Sequence, residues 1–215
     1  MGRVTNGANG PISGKVGSVV FCKWKGIDYV RGLPRINKNR KPTKSQAKQR
    51  SKFSFMQEKL KPIVPLVRLG FMNYATNRTG HNSAMSYNLK EAVLETTDGY
   101  KLDYEKFCFS KGILPPPEGV QVEQKNKKLY ISWKNTSIDS KLNRNRTMLL
   151  LYPEDRLTFA EAKQFGNCRF ELHDEIALPA GLKIGTKLHL YLSFFATDGS
   201  NNSSDSVYAG VIEIQ

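Results

Sequence analysis

The chain has 215 residues, 39% of them hydrophobic and 24% charged, with a formal net charge of +14. That length holds one large domain or two small ones, and the balance of apolar and charged residues excludes wholesale disorder. The charge excess lies at one end: residues 1–60 carry 14 Lys/Arg against 2 Asp/Glu, residues 61–114 carry 7 against 5, and residues 115–215 carry 12 against 12. An asymmetry of this kind points to an acidic or polyanionic partner for the basic end.

The first ten residues contain no apolar run of the kind a secretory signal needs, and no uncharged apolar stretch approaches the roughly 20 residues of a membrane span. The expectation is synthesis as a soluble, cytoplasmic protein with no membrane segment. Glycines 7, 10, 14 and 17 predict a loop with positive-φ positions or close backbone approaches. Within it, Gly10 to Lys15 imitates part of a phosphate-binding loop. The spacing is one residue short, Val16 stands where a magnesium-binding Ser or Thr is needed, and a strand follows instead of a helix, so nucleotide hydrolysis is excluded.

Residues 18–24 and 27–33 form a hairpin about a two-residue turn at Lys25-Gly26, which sets Trp24 opposite Ile27, Lys23 opposite Asp28 and Cys22 opposite Tyr29. One face then collects Val20, Cys22, Trp24, Ile27 and Tyr29. The basic run that follows, Arg35, Lys38, Arg40, Lys41, Lys44, Lys48, Arg50 and Lys52, contains no acid. Thr43 and Gln46 have capping-box spacing and start a helix that runs to about Leu60. On it, Lys44, Lys48, Lys52 and Lys59 fall within an arc of about 80°, beside an apolar arc of Phe53, Met56 and Leu60. This basic segment is the candidate polyanion-binding site, with Trp24 and Tyr29 as candidate stacking or partner contacts. The competing reading is an ordinary solvated face with one buried side.

Pro62 and Pro65 interrupt the next apolar stretch, which reads as a short helix over 63–74. A third helix is predicted over 83–96, with Met85, Leu89, Val93 and Leu94 inward, and residues 100–110 read as extended. Pro115-Pro116-Pro117 is the predicted domain boundary. Beyond it the pattern is all β, with strands over 120–123, 129–134, 147–152, 168–176, 187–197 and 206–214. The predicted fold is an α+β amino-terminal domain (1–114), a β-hairpin plus helices, followed by an all-β immunoglobulin-like sandwich (115–215).

No catalytic or metal site emerges. His81, His173 and His189 lack metal-ligand spacing, and His173 and Asp174 are adjacent on a strand and point to opposite sides. No Gly-x-Ser-x-Gly elbow is present. Cys22, Cys108 and Cys168 are far apart and outside any C-x-x-C pair, which predicts three small buried side chains without a disulfide or zinc. No cofactor is expected.

Two resemblances add to this reading. Residues 129–133 (Leu-Tyr-Ile-Ser-Trp), 148–152, 178–185, 188–191 and 194–199 resemble the strand and aromatic pattern of a fibronectin type III or related immunoglobulin-like sandwich, which implies a module that displays surfaces. The whole chain also resembles an uncharacterised family of Bacteroidota proteins, domain of unknown function 6266. The carrying residues are the stretches 14–20, 24–34 and 43–53, then Gly70-Phe71 and 82–89. Thr43, Gln46, Arg50 and Phe53 further resemble a segment of bacteriophage virion proteins. Together these imply a non-enzymatic structural or interaction protein, with a protein partner or self-assembly expected first and nucleic acid as the alternative.

Overall fold

The computed structural model describes residues 2–3, 12–34, 41–154 and 160–214. Contacts divide the chain into two compact units, residues 1–45 and 46–215. The first is a four-stranded antiparallel sheet in the order β1-β4-β3-β2, built from β1 (Gly2–Arg3), β2 (Gly14–Val16), β3 (Val19–Trp24) and β4 (Ile27–Gly32). The hairpin has the expected register, Trp24 against Ile27, Lys23 against Asp28 and Cys22 against Tyr29. Its turn places Lys25 at φ 48° and Gly26 at φ 79°, two left-handed residues whose twist matches that of the strands. Gly14 and Gly17 have positive φ, while Gly7 and Gly10 lie outside the described residues.

The second unit begins as α1 (Lys44–Leu60) leads through a 3₁₀ turn into α2 (Val64–Gly70). Helix α3 (Gly80–Glu91) follows, with Thr79 as its cap: the Thr79 hydroxyl accepts from the Asn82 N–H at 3.2 Å. The helix predicted over 83–96 therefore begins and ends earlier. Val93 and Leu94 belong instead to β5 (Val93–Thr96), paired with β6 (Gly99–Leu102) around the two-residue turn Thr97-Asp98. Of the stretch read as extended over 100–110, only the β6 residues are strand. Phe107 and Phe109 enter the core from irregular chain.

The β part follows as β7 (Glu118–Lys125), β8 (Lys128–Lys134), a helical turn α4 (Ser140–Asn143), β9 (Arg146–Pro153), β10 (Glu161–Lys163), β11 (His173–Ala177), β12 (Lys187–Phe195) and β13 (Val207–Glu213). Two antiparallel sheets result, ordered β10-β9-β12-β13 and β11-β8-β7. The protein is an α+β amino-terminal part followed by a β-sandwich. The strand read over 168–176 is shorter, because residues 169–171 form a 3₁₀ turn that ends in Leu172 at φ 64°.

The sandwich core is made by alternation. Leu129, Ile131 and Trp133 of β8 and Ile176 of β11 meet Leu149 and Leu151 of β9 and Leu188, Leu190, Leu192 and Phe194 of β12. The opposite face of the same β9–β12 pair presents Met148, Leu150, Tyr152, Tyr191 and Phe195, and these pack against Met56, Leu60, Leu66, Phe71, Met85 and Phe107 of the helical layer. Strands β9 and β12 are thus buried on both faces, which accounts for the unbroken apolar run 148–152. The helices and the sandwich share a core, and the break in the chain lies at the start of α1.

Polar atoms fasten the two layers. Tyr152 Oη donates to Lys59 O at 2.9 Å and Tyr191 Oη donates to Tyr104 O at 2.7 Å. Ser203 Oγ donates to Gly70 O at 2.7 Å and Ser110 Oγ to Ser204 O at 2.8 Å. Gly70 is required by proximity: a Cβ there would lie 2.4 Å from Phe109 O.

Candidate interaction surface

In the amino-terminal sheet, alternation along the strands sends Val20, Cys22, Trp24, Ile27 and Tyr29 to one face, together with Lys15 and Arg31, the register partners of Val20. The other face takes Val16, Val19, Phe21 and Val30. Both faces therefore carry apolar side chains. Among the described residues of this unit none is fully buried; Trp24 is 45% exposed and Val16 54%. The Lys25 ammonium stands 5.4 Å from the centroid of the Trp24 ring, a cation–π contact that shows the ring to be open to a cation. Lys23 and Asp28 approach to 3.9 Å across the strands.

Of the basic run, Arg35, Lys38 and Arg40 lie outside the described residues. Lys41, Lys44 and Arg50 are exposed. Lys48 is not available as a free cation: its Nζ donates to Glu95 Oε2 at 2.6 Å, and this hydrogen bond raises its pKa while lowering that of Glu95. Lys52 is half-buried and acts electrostatically on the same carboxylate. The cause is packing. Phe55 falls in the same helical arc as the lysines and packs on Tyr100 with ring centroids 6.0 Å apart, while Tyr100 Oη donates to Lys48 O at 3.1 Å. The β5–β6 hairpin thus covers the lysine side of α1. The apolar arc is buried at Met56 and Leu60 but runs out to Phe53, 49% exposed. The sequence gives no local sign that joins Lys48 to an acid 47 residues away.

Several interior polar groups of the sandwich are matched within the protein, while Asn145 Nδ2, Arg169 Nε and His189 Nε2 have no hydrogen-bond partner among the described residues. Asp174, fully buried, accepts from Lys163 Nζ at 2.6 Å, from the Asn167 N–H at 3.0 Å and from the Thr147 hydroxyl. As its alternation requires, neighbouring His173 is exposed. His189 stacks on Tyr104 with ring centroids 3.6 Å apart, and its Nδ1 lies 2.9 Å from Tyr208 Oη. Desolvation lowers its pKa, an effect Glu154 opposes and Lys187 reinforces. Burial raises the phenol pKa of Tyr152 and Tyr191. Of the three cysteines only Cys108 is fully buried; Cys22, on β3, and Cys168, at the edge of a 3₁₀ turn, are half-buried, and all three are free thiols. Among the described residues no three His, Cys, Asp or Glu side chains gather as metal ligands, and no helix is long and apolar enough to cross a membrane.

A family model matches residues 11–210, and its description is a family of unknown function, DUF6266. The chain belongs to this family. The match covers β2 to β4 of the amino-terminal sheet, the helical layer and the sandwich as far as the middle of β13. No curated protein matches the sequence. Among solved structures, the crystal structure of chicken CNTN1 FN1-FN3 domains is similar at 17% identity and a TM-score of 0.34, over 49% of this chain and 33% of that one.

Proposed function

We propose that this DUF6266 protein is a non-enzymatic component of a larger assembly, in which residues 1–45 dock onto a protein partner and residues 46–215 form the stable body. The observation that carries this reading is the amino-terminal sheet with apolar side chains on both faces and, among its described residues, no fully buried one. A sheet none of whose described residues is fully buried lacks an adequate core of its own, and contiguous exposed apolar surface marks an interaction site. The chemistry of the partner follows from charge. Residues 1–45 carry ten Lys/Arg and one acid, so an apolar patch rimmed by carboxylates is complementary, whereas a second copy of the same surface is repelled.

A second reading, nucleic-acid binding, is favoured by one observation: Trp24 and Tyr29 share their face with Lys15 and Arg31, an interleaving of aromatic and basic groups that suits single strands. Purification under native conditions, followed by light scattering, separates the two. A docked protein is expected to be released by Trp24→Asp and by Ile27→Asp, with little dependence on salt. Nucleic acid would be released steeply between low and moderate salt. A monomer that carries neither macromolecule, and that Trp24→Asp leaves unchanged in every binding assay, refutes the docking role of this sheet.

A further inference from the structure

Where the proline run meets the sandwich, an arginine is buried without a counter-ion among the described residues. Arg169 is only 4% exposed, held by the 3₁₀ turn before β11, with Trp133 Nε1 donating to its carbonyl oxygen at 2.9 Å. The guanidinium lies 4.0 Å from the centroid of the Phe194 ring, and Nη2 donates to Pro115 O. Its Nε has no hydrogen-bond partner among the described residues. Among the described residues no carboxylate oxygen comes within ion-pair distance of it, although seven such pairs form elsewhere. A guanidinium offers five N–H donors, and an interior charge that lacks both counter-ion and full hydrogen bonding is costly.

That charge lines a recess of about 150 Å³, together with Pro115, Pro116, Glu118, Lys134, Asn135 and Ser137 among others. Lys134 is placed there by Gly119: at φ 58° a Cβ on residue 119 would lie 2.9 Å from Lys134 Cδ, so the lysine stem passes over the bare glycine backbone. Two cations and one carboxylate leave the recess one positive charge in excess. The Asn135 amide and the Ser137 hydroxyl supply polar wall.

We propose that this recess is a binding site for a small carboxylate, which Arg169 receives as the missing counter-ion and Lys134 holds from the rim. A planar carboxylate matches a planar guanidinium whose second face already rests on Phe194. The charge balance calls for a monoanion, and the volume admits an acid of a few carbon atoms. Desolvation lowers the Arg169 pKa and Glu118 offsets this in part, so an anion within the recess would relieve the remaining cost. This site is independent of the docking sheet.

The test uses the full chain and acetate as the probe, titrated against chloride at constant ionic strength. Two signals are read, the side-chain ¹⁵N–¹H resonance of Arg169 and the thermal midpoint. The expected result is a saturable shift of the Arg169 resonance with acetate, absent with chloride, and a rise in midpoint that follows the same affinity. Lys134→Gln should weaken binding by roughly three- to tenfold, the effect of losing one charge-assisted contact at a partly exposed edge. Arg169→Lys keeps the charge but not the planar fork, and should weaken binding further. If the resonance moves no more with acetate than with chloride, the recess holds water around a structural arginine and the proposal is wrong. Saturable binding that both substitutions leave unchanged places the acetate elsewhere and overturns it equally.

Discussion

Removal of residues 1–114 would strip the helical layer from the sandwich, and the sequence alone suggests that the remainder should fold. The structure predicts the opposite. Met148, Leu150, Tyr152, Tyr191 and Phe195 lose their cover, and each is at most 5% exposed in the full chain. At about 1.5–3 kcal/mol for each large apolar side chain returned to water, the loss is about 7–15 kcal/mol. The phenol hydroxyls of Tyr152 and Tyr191 also lose their acceptors on Lys59 and Tyr104, at about 1 kcal/mol each. A domain of this size has a total stability of about 5–15 kcal/mol. The fragment 115–215 is therefore expected to be aggregated or molten, with strong binding of a hydrophobic dye, no sharp thermal transition and poor dispersion of amide resonances. A fragment that is monomeric and melts cooperatively within a few degrees of the full chain would refute the claim that the helices and sandwich form one cooperative core.

Further outcomes follow from the interior polar groups and the basic helix. Asp174→Ala removes the acceptor shared by Thr147, Lys163 and Asn167 and should cost about 3 kcal/mol in urea unfolding, since it breaks a buried pair and leaves donors unmatched. Gly166→Ala should cost a similar amount, because its Cβ would lie 1.9 Å from Asp174 Oδ2 and 2.2 Å from Thr147 Oγ1. His189 holds its proton less tightly in the folded state than in the unfolded one. As pH falls through the ordinary imidazole value of 6.5 the unfolded chain takes up the proton first, so stability falls on the acid side and is fully present above 6.5; His189→Gln should reduce that acid-side slope in denaturation curves at pH 7.5 and 5. If any polyanion binds, combined replacement of Lys41, Lys44 and Arg50 by Gln should weaken it more than replacement of Lys48 and Lys52, which already face Glu95; equal effects in a heparin retention assay would contradict that ranking.

What could be read in advance was what is encoded locally. The β3–β4 register followed from alternation and a two-residue turn, and α1 starts and ends where the capping-box spacing of Thr43 and Gln46 and the approach to Pro62 placed it. The sandwich strands were recognisable because β8 alternates between Leu129, Ile131 and Trp133 inside and Tyr130 outside. What could not be read in advance depended on contacts distant in sequence. Pro115-Pro116-Pro117 has the composition of a linker, yet Pro115 O is held by Arg169 from 54 residues away, and Leu114 N–H donates to Ser203 O at 3.0 Å. The second buried face of β9 gave a visible sign, the run 148–152, but a continuous apolar strand does not say which layer covers it. The lysine stripe looked like an open face because its cover, Glu95 and Tyr100, comes from a hairpin whose first strand was absorbed into a predicted helix. The counter-ion deficit at Arg169 had no signature at all, since it is defined by which carboxylates fail to reach it.

The doubly covered β9–β12 pair also fixes how the body of this protein can open. A strand at a sheet edge, or with one wet face, exposes its amides through small local fluctuations. Strands β9 and β12 have neighbours on both sides in the sheet and packed layers above and below, so neither can meet deuterated solvent until both the helical layer and the opposing sheet have come away. Their amides should then exchange only through global unfolding, and protection at Leu150 and Leu190 should give one shared free energy. Any adaptation the protein makes when it engages a partner would be confined to residues 1–45 and the exposed loops, with the double-faced pair unmoved.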